Sequence, residues 1–372
     1  MNGNVSRTHE RGGSGEGDRP GSGIGTPATG GPLSGAGVFV LLLLGLLGAI
    51  IASTSMGYME VPFSAVVKSI AAGVTGKDSL VSGLREAVPY VVWEVRLPRV
   101  LTAAVVGAGL SISGVVFQGI LLNPLADPYT LGISAGAAFG ASVALILNAA
   151  FLGLYTVPVC AFAGAIATLA VVIFLSSFEG EMSSTSLILS GIIVAAILSA
   201  GISFLKYVAD EQVSVIIFWL MGSFASKTWT EVLLCLTAVI AGFLVAVFFS
   251  RDLNILSLGD RVADSLGVAS GRVRVTLLVA ASFVTAVCVS VSGIIGFVGL
   301  IVPHLLRFLT GADNRRLLPA SALAGALLLL SADTVTRAVL PREVPIGVLT
   351  ALIGGPVFCY IFRRRGMRRG HG

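Results

Sequence analysis

The sequence predicts an all-α polytopic membrane protein with about ten transmembrane helices. Three observations carry that prediction. Only 12% of the 372 residues are charged and 55% are hydrophobic, whereas soluble domains carry roughly 25% charged residues. Apolar runs recur at about the 17–25-residue length that crosses a bilayer as a helix. The runs are continuous, while a membrane barrel would alternate apolar and polar residues along strands of about ten.

Taken in order, residues 1–35 are rich in Gly, Ser and Pro and read as a disordered tail, because they cannot bury a core. The apolar stretch from Val38 is long enough to span, unlike the short apolar core of a cleaved signal peptide. Spans are expected at 37–57, 98–119, 133–150, 154–176, 185–205, 229–250, 272–292, 294–310, 317–332 and 346–363, a ten-helix domain over 36–365. Ser292-Gly293 is the only punctuation between the seventh and eighth. A basic tail, 366–372, closes the chain. An even count puts both termini on one side. That side then holds 15 of the 24 Lys and Arg residues, the other side nine. The bias places both termini in the cytoplasm, and the expected location is the plasma (inner) membrane. The net charge of +5 is a topology signal rather than a nucleic-acid footprint.

Cys160, Cys235, Cys288 and Cys359 lie far apart in apolar runs and read as small hydrophobes, with no metal-ligand spacing. Many of the 46 glycines sit inside spans, among them Gly107, Gly114 and the Gly136-x-x-x-Gly140 pair. Small residues let helix backbones approach where lipid supplies no hydrophobic drive between helices. Ser113-Gly114 with Pro124 is echoed by Ser292-Gly293 with Pro303. An inverted repeat and coincidence both account for three matched positions.

Catalysis is not expected. His9, His304 and His371 are the only histidines, and no paired intramembrane carboxylates occur. Residues 71–78 imitate a phosphate loop, but Ala71 replaces the first glycine and Asp78 the magnesium-binding Ser or Thr. Nucleotide energy must come from another chain, and no cofactor or metal is implied.

Three places could carry function. Arg96 and Arg99 stand at the mouth of the second span. Asp333 and Arg337 lie one helical turn apart at the same, outer end of the ninth. These two either satisfy each other, or Arg337 faces outward and joins Arg96 and Arg99 to capture carboxylates. Asn123-Pro124 and Asp127-Pro128 break the chain at the inner end of the second span. There Gln118, Asn123, Pro124 and Asp127 are candidates for an inner gate, with an ordinary turn as the alternative. The inner loop 251–272 is amphipathic, and Asn254 or Ser257 could cap a short helix in it. Asp260 and Asp264 beside Arg261 argue against a basic lipid-binding face and for insertion into a protein groove.

Several motifs recur together: RLPR at 96–99, GAGLSISGVVFQGILLNPLADPYTLGIS at 107–134, LSLGDRVADSLG at 256–267, GIIGFVGLIVPHLLR at 293–307, and SADTVTR with PIGVLTALIGGPVF over 331–358. Over residues 38–365 the chain resembles the permease subunits of type II ABC importers, which carry iron–siderophore complexes and vitamin B12. The resemblance implies ten helices in the type II importer permease fold and a second permease subunit, a copy or a paralogue. It also implies two ATP-binding cassette subunits and a substrate-binding protein. It assigns binding-protein docking to Arg96, Arg99 and Arg337. ATPase coupling falls to Leu258, Gly259, Asp260, Ala263, Leu266 and Gly267. A ferric siderophore is the favoured cargo, with cobalamin and haem open. A membrane scaffold or receptor that moves no substrate is the alternative of a different class.

Overall fold

The computed structural model describes residues 35–369 apart from 58, 178–181 and 341–342. The expected tail, all but Gly35, and Arg342 therefore lie outside the described residues. Helices α1 (Gly35–Ser55) and α2 (Phe63–Thr75) come first. The short α3 (Ala87–Tyr90) then runs through a π turn (Val91–Arg96) into α4 (Leu97–Ile120). Next come α5 (Ile133–Ile146), α6 (Thr156–Ser176), α7 (Ser184–Val208), α8 (Val213–Leu220) and α9 (Trp229–Phe248). Two short helices, α10 (Ser250–Leu256) and α11 (Asp260–Ser265), lead to α12 (Ser270–Ser292), α13 (Val298–Thr310), α14 (Asn314–Ala338) and α15 (Ile346–Arg369).

All ten expected spans coincide with helices. Among the described residues seven stretches are long and apolar enough to cross a membrane; α5, α13 and Ile346–Tyr360 of α15 are shorter. The eighth span starts later than expected, at Val298. Gly293 (φ 73°) ends α12 and Phe297 (φ 68°) sits left-handed before α13. The backbone between them is irregular, and the Tyr129 hydroxyl serves it, donating to the Ile295 carbonyl and accepting from the Ile295 amide. Three elements escaped the sequence reading. Helix α2, 13 residues carrying Lys68, Ser64 and Ser69, is too polar and short for a span. Helix α8 is a single apolar run of 8 residues. The helix before Leu97 begins at Ala87, and its π turn lets the Leu97 N–H reach back to the Val92 carbonyl. Pro98 follows directly; it has no N–H to donate and crowds the preceding turn, so the widening sits where the regular ladder is interrupted. Helix α15 continues to Arg369, into the segment expected to be a basic tail.

Helix α4 is the centre: 83% of its most apolar window is buried, against 17% for α1. It packs against α14, α12, α9 and α13. Leu41, Leu44 and Leu47 of α1 point away from the protein, as lipid-facing side chains do. Small residues bring backbones together around α4. A Cβ at Gly107 would collide with the Gly325 carbonyl on α14, and one at Gly114 with the Gly299 carbonyl on α13. The Gly136-x-x-x-Gly140 pair meets α6 in the same way at Gly164 and Cys160. Ser113 adds a hydrogen bond to the Ala281 carbonyl, 3.0 Å. The Ser-Gly echo does not mark equivalent places, since Ser113 and Gly114 lie mid-helix whereas Ser292 and Gly293 end α12.

Gly114→Ala should therefore lower the stability of the purified protein by about 1–3 kcal/mol, the usual cost of overpacking. Gly48→Ala, with nothing within 4 Å of the added carbon, should lower it by nothing. Thermal unfolding in detergent or nanodiscs separates the two.

Candidate functional site

Arg96, Arg99 and Arg337 do meet at one end of the helices, but their guanidinium groups are turned inward. Arg96, 7% exposed, donates to the carbonyls of Thr54 (2.9 Å), Ser55 (3.0 Å) and Met59. Arg337 donates to the Met56 carbonyl (2.6 Å), the Ser53 carbonyl and Ser53 Oγ (2.8 Å). The Ser53, Thr54 and Ser55 carbonyls are ones that α1 leaves unpaired at its C-terminus, where the helix dipole also favours cations; Met56 and Met59 lie just beyond it. The outward-facing Arg337 expected from sequence is thus corrected: the end of α1 draws the side chain in. The alternative i,i+4 pairing is present as well, with Arg337 Nε 3.5 Å from Asp333 Oδ2.

Asp333 is the shared counter-ion. Its side chain is 1% exposed. Arg99 Nε lies 3.2 and 3.1 Å from its two oxygens and Arg99 Nη2 2.8 Å from Oδ1. Arg99 Nη2 also donates to Glu343 Oε1 at 2.6 Å, on the connection between α14 and α15. Glu343 belongs to no motif, so nothing in the sequence marked it. A cavity of about 260 Å³ opens beside Arg99, Asp333 and Glu343.

The opposite end holds the other candidates. Gln118 is buried, and its amide donates to the Gly299 and Leu300 carbonyls, both at 3.3 Å. Arg307 of α13 donates to its Oε1. Asn123 Oδ1 accepts from the Leu125 amide at 2.9 Å. Asp127 Oδ1 accepts from the Tyr129 amide (3.0 Å), the Thr130 amide (2.9 Å) and Thr130 Oγ1 (2.9 Å). Burial pushes the Asp127 carboxyl up while these hydrogen bonds pull it down; burial prevails. Asn123 and Asp127 thus build turns that end α4 and lead into α5. Gln118 and Pro124 line a cavity of about 210 Å³ together with Ser257, Arg307 and Asn314.

The 251–272 loop forms two helices where one was expected; Ser257 stands at the C-cap of the first and Asn254 caps neither. Gly259 (φ 107°) separates them. Asn254 lies inside α10 and ties it to α14. Its Nδ2 donates to Asp313 Oδ1 (2.7 Å), and its Oδ1 accepts from the Asn314 amide (2.9 Å) and Nδ2 (2.8 Å). Slight burial opposes ionisation of Asp313, but the Asn254 bond, the Arg315 amide and the charges of Arg315 and Arg316 hold its carboxyl below the usual value. Ser257 instead donates to the Asn254 carbonyl at 2.6 Å. Leu253 and Leu256 are buried, as is Ala263, whereas Leu258 (65%), Val262 (42%) and Leu266 (61%) are exposed. Of the exposed three only Val262 lies within α11; Leu258 and Leu266 flank its two ends. Asp260 pairs with the buried Arg274, which also donates to the Met182 carbonyl at 2.9 Å. Gly267 (φ 83°) ends α11.

A helical membrane body with a buried ion network at one end and exposed apolar side chains on a short-helix loop at the other has the form of a transporter permease. The chain belongs to the FecCD transport family, whose model matches residues 41–364. It is 42% identical to the cobalamin import system permease protein BtuC of Halobacterium salinarum over 77% of each chain. To the hemin transport system permease protein HmuU of Yersinia pestis it is 38% identical, over 89% of this chain and 96% of that one. A solved structure of a metal-chelate type ABC transporter in an inward-facing conformation matches with a TM-score of 0.76 and 36% identity, covering 88% of this chain and 99% of that one. The protein is therefore a multi-pass, non-catalytic ABC importer permease that works with ATPase and binding-protein partners.

Asp333→Asn leaves two nearly buried guanidinium groups without their shared carboxylate. It should destabilise the protein by about 3–5 kcal/mol, the range for breaking a buried pair from one side. A fall in the thermal midpoint of the purified protein measures it.

Proposed function

We propose that this chain imports a ferric siderophore, pairing with a second permease subunit above two ATPase subunits. The arginine end faces the binding protein outside, and both termini lie in the cytoplasm. The observation that carries the reading is the pairing of two unlike ends on one buried helix. Arg99 stands at the first turn of α4 and Gln118 at its last.

Arg96, Arg99 and Arg337 set positive charge at the outer end. Asp333 and Glu343 offset two of these charges, and the positive charge that remains steers an acidic partner. At the inner end Leu258, Val262 and Leu266 present an apolar face to a groove of the ATPase subunit. Asp260, through Arg274, and Ala263, through its burial, hold that face in place; Gly259 and Gly267 set its limits. Movement of α10 and α11 reaches α14 through Asn254. It reaches the cavity beside Gln118 and Pro124 through Ser257, so Gln118, Asn123, Pro124 and Asp127 form the inner gate. The metal-chelate relative and the iron-bearing cargo named for the haemin permease favour an iron complex. Cobalamin is the second reading, favoured by the identity to the cobalamin permease.

A deletion strain should lose growth on ferric siderophores as sole iron source and keep its use of haem and cobalamin. Loss confined to cobalamin or haem would overturn the cargo. Leu258→Asp combined with Leu266→Asp should abolish co-purification of the ATPase subunit with little change in the permease's thermal midpoint. Retained co-purification would remove these residues from the coupling face.

A further inference from the structure

The three arginines are not equivalent. Arg96 and Arg337 each close carbonyls at the end of α1, and both flank Gly57, where a Cβ would lie 2.9 Å from Arg96 Nη2 and 3.4 Å from Arg337 Nη1. Withdrawing either would leave carbonyls without partners. Arg99 is built differently. Its inner side holds the buried Asp333, and its outer side holds Glu343, whose side chain is 43% exposed. The cavity beside this pair is lined by Phe218, Phe224 and Pro345 as well as the ions. It has room for a side chain that approaches Arg99 from outside.

We propose that Glu343 holds, at Arg99, the place that a carboxylate of the docked binding protein takes in turn. Arg99 is the exchangeable docking arginine, while Arg96 and Arg337 anchor α1. This inference rests on the docking reading above. Charge complementarity identifies the occupant. Three guanidinium groups and two carboxylates meet here, and releasing Glu343 leaves Arg99 with an open donor that an acidic side chain matches. The exchange swaps one carboxylate for another at Arg99 and returns Glu343, already 43% exposed, to solvent. Because Glu343 is half exposed, water solvates it as it leaves, so it is displaced readily and returns readily when the partner departs. A partner that must dock, deliver and leave needs a contact of that kind.

The test uses the full permease–ATPase complex in nanodiscs and its binding protein, with affinity read by surface plasmon resonance. Glu343→Gln keeps the shape and removes the competing charge, and should tighten Kd about 2- to 5-fold. Glu343→Ala should do the same. Arg99→Gln should weaken binding, and in its background Glu343→Gln should have no further effect. An unchanged or weaker Kd for both Glu343 variants, with the wild-type complex binding normally, overturns the inference and leaves the docking reading intact. Equal effects of Glu343→Gln with and without Arg99 also overturn it, since the acid would then act elsewhere. Failure of the wild-type complex to bind the protein at all overturns the docking reading itself.

Discussion

Backbone contact along α4 is the constraint on which the two ends of this protein depend. In a bilayer no hydrophobic drive pushes helices together, so close packing must do it. Gly107 and Gly114 bring α4 against the carbonyls of Gly325 and Gly299. Those contacts put α14 and α13 at fixed positions beside one rod. Arg99 can then meet Asp333 of α14 at one end, and Gln118 can meet the carbonyls of α13 at the other. Without the glycines the helices would stand further apart and neither polar cluster could close.

The polar clusters are spaced to suit the medium. Charges are costly at the bilayer centre and tolerable near its faces. Here the ions gather where helices end. Arg96 and Arg337 meet the last carbonyls of α1, and Arg274 and Arg307 meet acceptors at the opposite end. Between them the buried polar side chains are mostly Ser and Thr. Ser142, Thr168 and Thr285, for example, bond carbonyls four residues back in their own helices.

Much of this was legible in the sequence, for particular reasons. Span positions follow from apolar length, so all ten were readable. The convergence of Arg96, Arg99 and Arg337 followed from counting spans, because helix parity sets which ends share a face. Their orientation was not readable, because the acceptors that turn them inward are main-chain carbonyls of α1, which have no residue identity. Glu343 was missed for a related reason: its role depends on where the α14–α15 connection passes, not on spacing to Arg99. Helices α2 and α8 fell below the length that apolar runs must reach to be noticed. The 251–272 loop showed its amphipathic character in sequence. The Leu253–Leu266 pattern nonetheless mixes buried Leu253, Leu256 and Ala263 with exposed Leu258, Val262 and Leu266, and the break at Gly259 divides it between two short helices.

The π turn at Val91–Arg96 has a further consequence, best put in terms of rotational phase. A helix advances about 100° per residue, and a π turn takes up one residue more than the regular repeat. Val88 and Val92 keep their side chains in the small cluster under α2. Four and seven residues beyond Val92, Arg96 and Arg99 face α1 and α14. The extra residue reconciles two faces that a uniform helix would set at different angles. Losing one residue from this turn would leave both segments helical, yet point the arginines and the α2 cluster about 100° apart.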